Sequence, residues 1–249
     1  MGHLPNSVSA LFYCVVLTGG TVIIGANQPR ILPFIPYWRY ASSCDVFDLG
    51  LEDPFTVKYH HRVLVGTDNQ NEWLRLPLIG KAAKLDGKAF SEIDIDMACI
   101  EQTQFHLRNF HLKLPFWKQN EDFLLSLFAY QSSNLAGFLY ATMVETSAYL
   151  NLPIKFKPGI APDPCAINVT SRIASQLKGY GPGTYLAGPA SDGYLDYTEY
   201  EHQTSQTVKV FTKGSPEWLA PYSRVSVASV LCHIGRDATR GLILRGLGV

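Results

Sequence analysis

From Thr21 the chain reads TVIIGA, an unbroken β-branched run of the kind that forms a buried strand. It runs into Gln28-Pro29-Arg30 and then PFIPYWRYASSC, where aromatics recur at helical spacing after Pro36. A proline is tolerated in a first helical turn, since its missing N–H would be unpaired there anyway. DVFDLGL predicts a second strand. FTVKYHHRVLVGTDNQNEWLRLPLI predicts a hairpin, two strand-like runs around the polar GTDNQN. FSEIDIDM reads as a further edge strand, and ACIEQTQFHLRNFHL as a helix ended by Pro115. In NEDFLLSLFAYQSSNLAGFLYATMVETSAYLNL apolar residues recur three and four apart. That spacing predicts core-facing helix, with a break near Ser132-Ser133 or Gly137. PIKFKPGI predicts a strand, and NVTSRIASQLKGYG a helix with Thr170 or Ser171 near its N-cap and Gly179 near its end. TYLAGPASDGYLD reads as a strand entering a glycine-rich loop, and TVKVF as another strand. SRVSVASVLCHIGRDATRGLIL predicts a last helix stopping around Gly235, then a tail.

Strands alternating with helices predict an α/β fold: a mixed β-sheet flanked by helices, with a helical middle segment. Residues 23–249 are expected to form one domain with a helical insertion around 98–151. Residues 1–22 are expected to be an N-terminal leader or an extra strand. Their run VSALFYCVVLTGGTVII follows no Lys or Arg, unlike a signal peptide, and Gly19-Gly20 breaks it short of a bilayer span.

Composition narrows the class. Of 249 residues, 47% are hydrophobic and 17% charged, which excludes global disorder. Lys+Arg and Asp+Glu both number 21, so no global basic field draws the chain to nucleic acid or an anionic membrane. A local basic groove remains compatible with that average. The five cysteines, Cys14, Cys44, Cys99, Cys165 and Cys232, are odd in number and form no CxxC. This fits a reduced, cytoplasmic chain better than a disulfide framework or a zinc site.

Two stretches carry candidate chemistry. In TYLAGPASDGYLD, Gly188 and Gly193 permit close backbone approach to a ligand, and Ser191 and Asp192 add a hydroxyl and a carboxylate. It is neither a Walker loop nor GxGxxG, and an ordinary strand–loop connection has the same pattern. In KYHHRV, a strand would put Lys58, His60 and Arg62 on one face and Tyr59 and His61 on the other. Three donors on one face suit a phosphate or carboxylate, and equally describe a solvated basic face. Adjacent histidines in a strand point apart, so no metal site follows. His106 and His111 lie five apart on the predicted helix and do not share a face, whereas Arg108 and His111 are three apart and could converge. His233 lies in an apolar helix. There is no GxSxG elbow and no recognisable cysteine nucleophile. Nothing ranks the carboxylates Asp45, Asp48, Glu52, Asp53, Asp192 and Asp196.

The order of the pieces is more telling. ANQPRILPFIPYWRYASSCDVF resembles the start of the WbqC-like family, where a strand ends in Gln-Pro before an aromatic–Pro helix and an Asp-Val-Phe-like strand. NEWLRLPL, QFHLRNFHLKLPFW, SRIASQLKGYGPGTYLAGPASDGYLD and RVSVASVLCHIG are similar to its later elements, collinear from Ile23 to Gly235. Two departures stand out. FTVKYHHRV is shorter than its counterpart, and Ser229 and His233 stand where the closing helix usually carries Asp and Asn. The resemblance implies a role in bacterial surface-polysaccharide (O-antigen) synthesis as a small-group transferase attaching glycine or another amine-bearing group. A phage-encoded member would transfer an amino acid to a pyrophosphorylated hydroxymethyl pyrimidine in DNA.

That chemistry needs a base, cationic donors for the leaving phosphate and a close-approach loop. His233, Asp192 and His106 are the expected catalytic residues. Gln28, Arg30, Lys58, His60, Arg62, Arg108, Tyr185, Gly188, Ser191 and Tyr194 are the expected phosphate- or substrate-binding residues. Neither metal nor cofactor is expected. The partners are a small amine or amino acid donor and a phosphorylated sugar, nucleotide or modified DNA acceptor, with no membrane. The alternative is a non-enzymatic binding protein that presents a modified nucleotide or sugar to a partner enzyme.

Overall fold

The computed structural model describes residues 21–58, 60–67, 70–129 and 132–248, so the expected leader, residues 1–22, lies almost wholly outside the described residues. In chain order the elements are β1 (Ile23–Ala26), α1 (Ile35–Ala41), β2 (Val46–Asp48), β3 (Arg62–Thr67), β4 (Gln70–Arg75) and α2 (Ala82–Leu85). The helical middle follows as α3 (Ile100–His111), α4 (Trp117–Ser126) and α5 (Leu135–Tyr149). Then come β5 (Phe156–Lys157), α6 (Val169–Leu177), β6 (Gly183–Ala187), α7 (Tyr197–Thr204), β7 (Gln206–Val210), α8 (Val227–Ile234) and α9 (Arg236–Leu244).

Five strands form one sheet in the order β5-β2-β1-β6-β7, every neighbouring pair parallel. Counted within this sheet the order is 3-2-1-4-5, that of a doubly wound fold. The antiparallel pair β3–β4 is a separate two-stranded ribbon. The expected α/β fold with strands of both senses is therefore present, with the two senses in different sheets.

The short strands are buried because both sheet faces are covered. On one face, Ile24, Tyr185 and Ala187 pack with Ala174 and Leu177 of α6 and Tyr200 of α7. The other face meets the main core, which includes Trp38 of α1, Phe47 of β2 and Ile243 of α9. Trp38, fully buried, donates its indole N–H to the Pro33 carbonyl at 3.0 Å. Arg39 is also buried, yet donates to the carbonyls of Lys213, Leu242, Ile243 and Arg245 at 2.8–3.0 Å, which ties the end of α9 to α1.

Four local expectations are corrected. Lys58, His60 and His61 precede β3 in a turn, so they do not alternate across a strand. FSEIDIDM forms a 3-10 turn at Phe90–Glu92, closed by the Glu92 carboxylate accepting from the Ala89 N–H at 2.9 Å, and single bridges at Asp94 and Ile95. Asn168, not Thr170 or Ser171, caps α6, its side chain accepting from the Ser171 N–H at 2.7 Å. Residues 236–244 form α9 instead of a tail, because Ile243 is a core residue and Arg39 holds the helix end. α7 had no expectation: its stretch YTEYEHQT is polar enough to read as loop, and Asp196 caps it by accepting from the Glu199 N–H at 3.0 Å.

Candidate functional site

In open α/β sheets ligands sit beyond the carboxyl ends of the strands where the strand order reverses. Here the reversal falls between β1 and β6. A cavity of about 330 Å³ opens there, lined from Ala26, Asn27 and Gln28 after β1 and from Asp48, Gly50 and Asp53 after β2. Tyr185 of β6 and Tyr194 beyond it complete one wall. Val169, Arg172, Ile173 and Gln176, spaced as one face of a helix, supply the α6 wall.

The proline-rich segment after β1 is held by the aromatics that follow it. The Tyr37 hydroxyl donates to the carbonyls of Asn27 at 3.3 Å and Gln28 at 3.2 Å. The Tyr40 hydroxyl meets the Leu186 carbonyl in a short contact, joining α1 to β6. Gln28 donates from Nε2 to the Pro54 carbonyl at 3.1 Å. Burial pushes both tyrosine hydroxyls far above their ordinary range, so they act as neutral struts.

The chemically pointed groups are two carboxylates. Asp48 is buried, with Oδ1 accepting from the Gly50 N–H at 2.7 Å and Oδ2 from the Tyr180 hydroxyl at 2.7 Å. Burial raises its proton affinity; the two donors oppose that, and the nearby Asp53 charge adds to it. Asp53 accepts the Gln176 amide at 2.8 Å on Oδ1. Burial raises it too, opposed by Gln176 and by the charge of Arg172. The Arg172 Nε is buried and has no hydrogen-bond partner among the described residues. A proton-hungry carboxylate pair and a guanidinium thus share one small cavity. This suits a ligand carrying a cationic end and an anionic end.

Of the expected residues, Gln28, Tyr185 and Tyr194 line this cavity. Arg30 stands over the Phe34 ring at 5.6 Å, close enough for its charge to reach Tyr37 and His60. Ser191 is buried and bonds the Tyr197 hydroxyl at 2.9 Å, and that hydroxyl also donates to Asp192 in a short contact. Gly188 begins the loop after β6, and a Cβ there would meet nothing within 4 Å.

His60 is a core residue: its Nδ1 accepts the Thr56 N–H at 2.8 Å. Burial, Arg30 and His61 push it down to about 3, so it is neutral and does not serve as a cationic phosphate donor. Arg62 donates to the Lys58 carbonyl at 2.7 Å and lies over Trp73 on the ribbon. Arg108 pairs with Glu121 at 3.0 Å on the surface, while His111 turns into the core, so the two do not converge. His111 bonds the Leu107 carbonyl through Nδ1 at 2.6 Å and the Ser229 Oγ through Nε2 at 2.7 Å, with Trp117 stacked on its ring. His106 and His233 are exposed, His233 beside Tyr222, and neither lines the cavity.

Asp48 and Asp53 are two of six carboxylates that the sequence leaves unranked, and Arg172 and Gln176 are missed altogether. Asp48 lies inside the predicted strand DVFDLGL, and the structure ends β2 on it, which sets it apart from the other five carboxylates. Arg172 and Gln176 alternate with Val169 and Ile173 on a single helix face, a mixed stripe that plain core packing does not require. Among the described residues no group of three or more His, Cys, Asp or Glu side chains is placed to hold a metal ion. No helix among them is long and apolar enough to cross a membrane.

A sequence model of the WbqC-like protein family matches residues 28–240. The match covers most of the chain, which therefore belongs to the WbqC-like family. No curated protein and no solved structure matches it.

Proposed function

We propose that this WbqC-like protein is a transferase that joins an amine-bearing small group, glycine or another amino acid, to a phosphate- or pyrophosphate-activated acceptor. The acceptor is a nucleotide sugar of surface-polysaccharide synthesis or a pyrophosphorylated hydroxymethyl pyrimidine in DNA. The observation that carries the reading is the Asp48–Asp53 pair beside Arg172 at the strand-order reversal.

An amine arrives as an ammonium ion, and two carboxylates in a sheltered pocket attract it. Asp53, with only Oδ1 engaged by Gln176, is placed to take the ammonium proton. Asp48, held on both oxygens, keeps a second negative charge beside it. The freed nitrogen pair attacks the activated carbon. A C–N bond forms, the C–O bond to the phosphate breaks, and the leaving group takes that electron pair. Arg172 holds the anionic end of the donor or steadies the departing phosphate. Tyr194, half-exposed at the mouth, offers a face to the acceptor ring.

The test incubates the protein with a panel of amino acids and amines against both acceptor classes and reads the products by mass spectrometry. Condensation with loss of phosphate or pyrophosphate is expected. An absence of any mass gain across the panel refutes the transferase reading.

A further inference from the structure

The β3–β4 ribbon carries a feature that neither the cavity nor the proposed chemistry uses. Arg62 and Arg75 stand directly opposite one another in the antiparallel register. Like charges so placed are normally destabilising, with Cβ atoms about 4.5–5.5 Å apart. A carboxylate between them would relieve the repulsion, yet neither arginine forms an ion pair among the described residues. One register step along, Leu64 faces Trp73, and Trp73 is 45% exposed. The Arg62 guanidinium lies 4.5 Å from the centre of the Trp73 ring. Arg62, Leu64, Trp73 and Arg75 thus share one ribbon face, while Val63, Val65 and Leu74 of the other face are core.

The positive field is local. The chain as a whole has 21 basic and 21 acidic residues, but both arginine charges converge near His61. Burial first, then Arg62 and Arg75, hold that imidazole below its ordinary range. A half-exposed indole flanked by two unneutralised guanidiniums complements a ligand that carries flat rings and repeated negative charges. An open ribbon face gives a small molecule little enclosure, whereas a polymer gains from successive contacts.

We propose that this ribbon face binds single-stranded nucleic acid, with a base on Trp73 and phosphates on Arg62 and Arg75. Bases stack on aromatic faces with little sequence preference, and arginines neutralise the backbone. The inference does not rest on the transferase reading, since it concerns a different face and needs no reaction.

The test is fluorescence anisotropy of a labelled oligothymidylate with the full chain, titrated over a range of salt concentrations. Wild type is expected to bind and to weaken as salt rises. Arg75→Gln is expected to flatten the log–log salt slope by about 0.7, the value for one phosphate contact on a single strand. Trp73→Ala is expected to weaken binding at least about fivefold. Both side chains are solvent-facing, and unchanged thermal melts confirm that the variants fold. The proposal is overturned by no binding at low salt, or by binding that both variants leave unaltered. It is equally overturned if the protein is retained by phosphatidylglycerol vesicles and not by the oligonucleotide, which would make the face a membrane contact.

Discussion

Gly159 is the position at which packing and the candidate site are most tightly joined. It sits in the loop after β5 with φ +100°, and a Cβ there would lie 2.8 Å from the Asp48 Oδ1 and 3.1 Å from the Gly50 nitrogen. Gly159→Ala therefore carries two penalties. The backbone conformation costs about 1–3 kcal/mol for a residue with a Cβ. The overlap forces either the Asp48 carboxylate or the Gly50 backbone to move, at about 1–3 kcal/mol more. Gly181 separates the two. It has φ +81° and ψ −171°, and a Cβ there would meet nothing within 4 Å, so Gly181→Ala carries the first penalty alone. The assay is urea denaturation of both variants, compared at equal slope. With a slope of about 2 kcal/mol per molar, the Gly159→Ala midpoint should fall roughly 0.5–1.5 M below that of Gly181→Ala. Because the displaced atom belongs to Asp48, transfer activity should fall in Gly159→Ala and persist in Gly181→Ala. Equal midpoints for the two variants would refute the packing argument.

Three further outcomes follow from the buried polar groups. Burial raises the Asp53 carboxyl, so the folded state disfavours its ionised form and loses stability as pH rises above the ordinary carboxylate range. Asp53→Asn keeps an acceptor for Gln176 and should melt higher than wild type at pH 7, with the gap closing near pH 4. His60 behaves oppositely: held at about 3 against an ordinary 6.5, it leaves the unfolded chain binding the extra proton between those values. Stability present above pH 6.5 is then lost toward pH 3 at about 1.4 kcal/mol per pH unit. His60→Gln, which still accepts from Thr56, should flatten that slope in urea titrations at pH 5 and 7. Ser229→Ala removes the partner of both His111 Nε2 and the Gly66 N–H in the core, and should cost about 1–3 kcal/mol by urea denaturation while leaving the transfer rate unchanged.

The strands and the core-facing helices were legible because their patterns are local. TVIIGA and TVKVF announce themselves by β-branching, and apolar residues three and four apart over residues 135–149 follow the period of a core-facing helix. The end of the chain was not legible, because α9 depends on the Arg39 guanidinium some 200 positions earlier. The site divides the same way. Gln28, Tyr185 and Tyr194 lie in motifs that stand out by composition, and all three reach the cavity. Asp53 and Gln176, 123 positions apart, meet only because β1 lies between β2 and β6 in the sheet. No spacing rule connects them. The basic stretch around Lys58 misled for a related reason: a turn, not a strand, sets the direction of His60, and the turn sends it into the core.

The central claim is that Asp53 receives the proton of the attacking amine in the cavity it shares with Asp48 and Arg172. The most direct measurement is the single-turnover rate of condensation, with donor binding followed separately by calorimetry, for wild type, Asp53→Asn and Arg172→Gln. The account predicts that Asp53→Asn folds and retains measurable donor binding while its rate falls by about 10²–10⁴, and that Arg172→Gln weakens binding. A wild-type rate in Asp53→Asn, with the donor still bound, would contradict it.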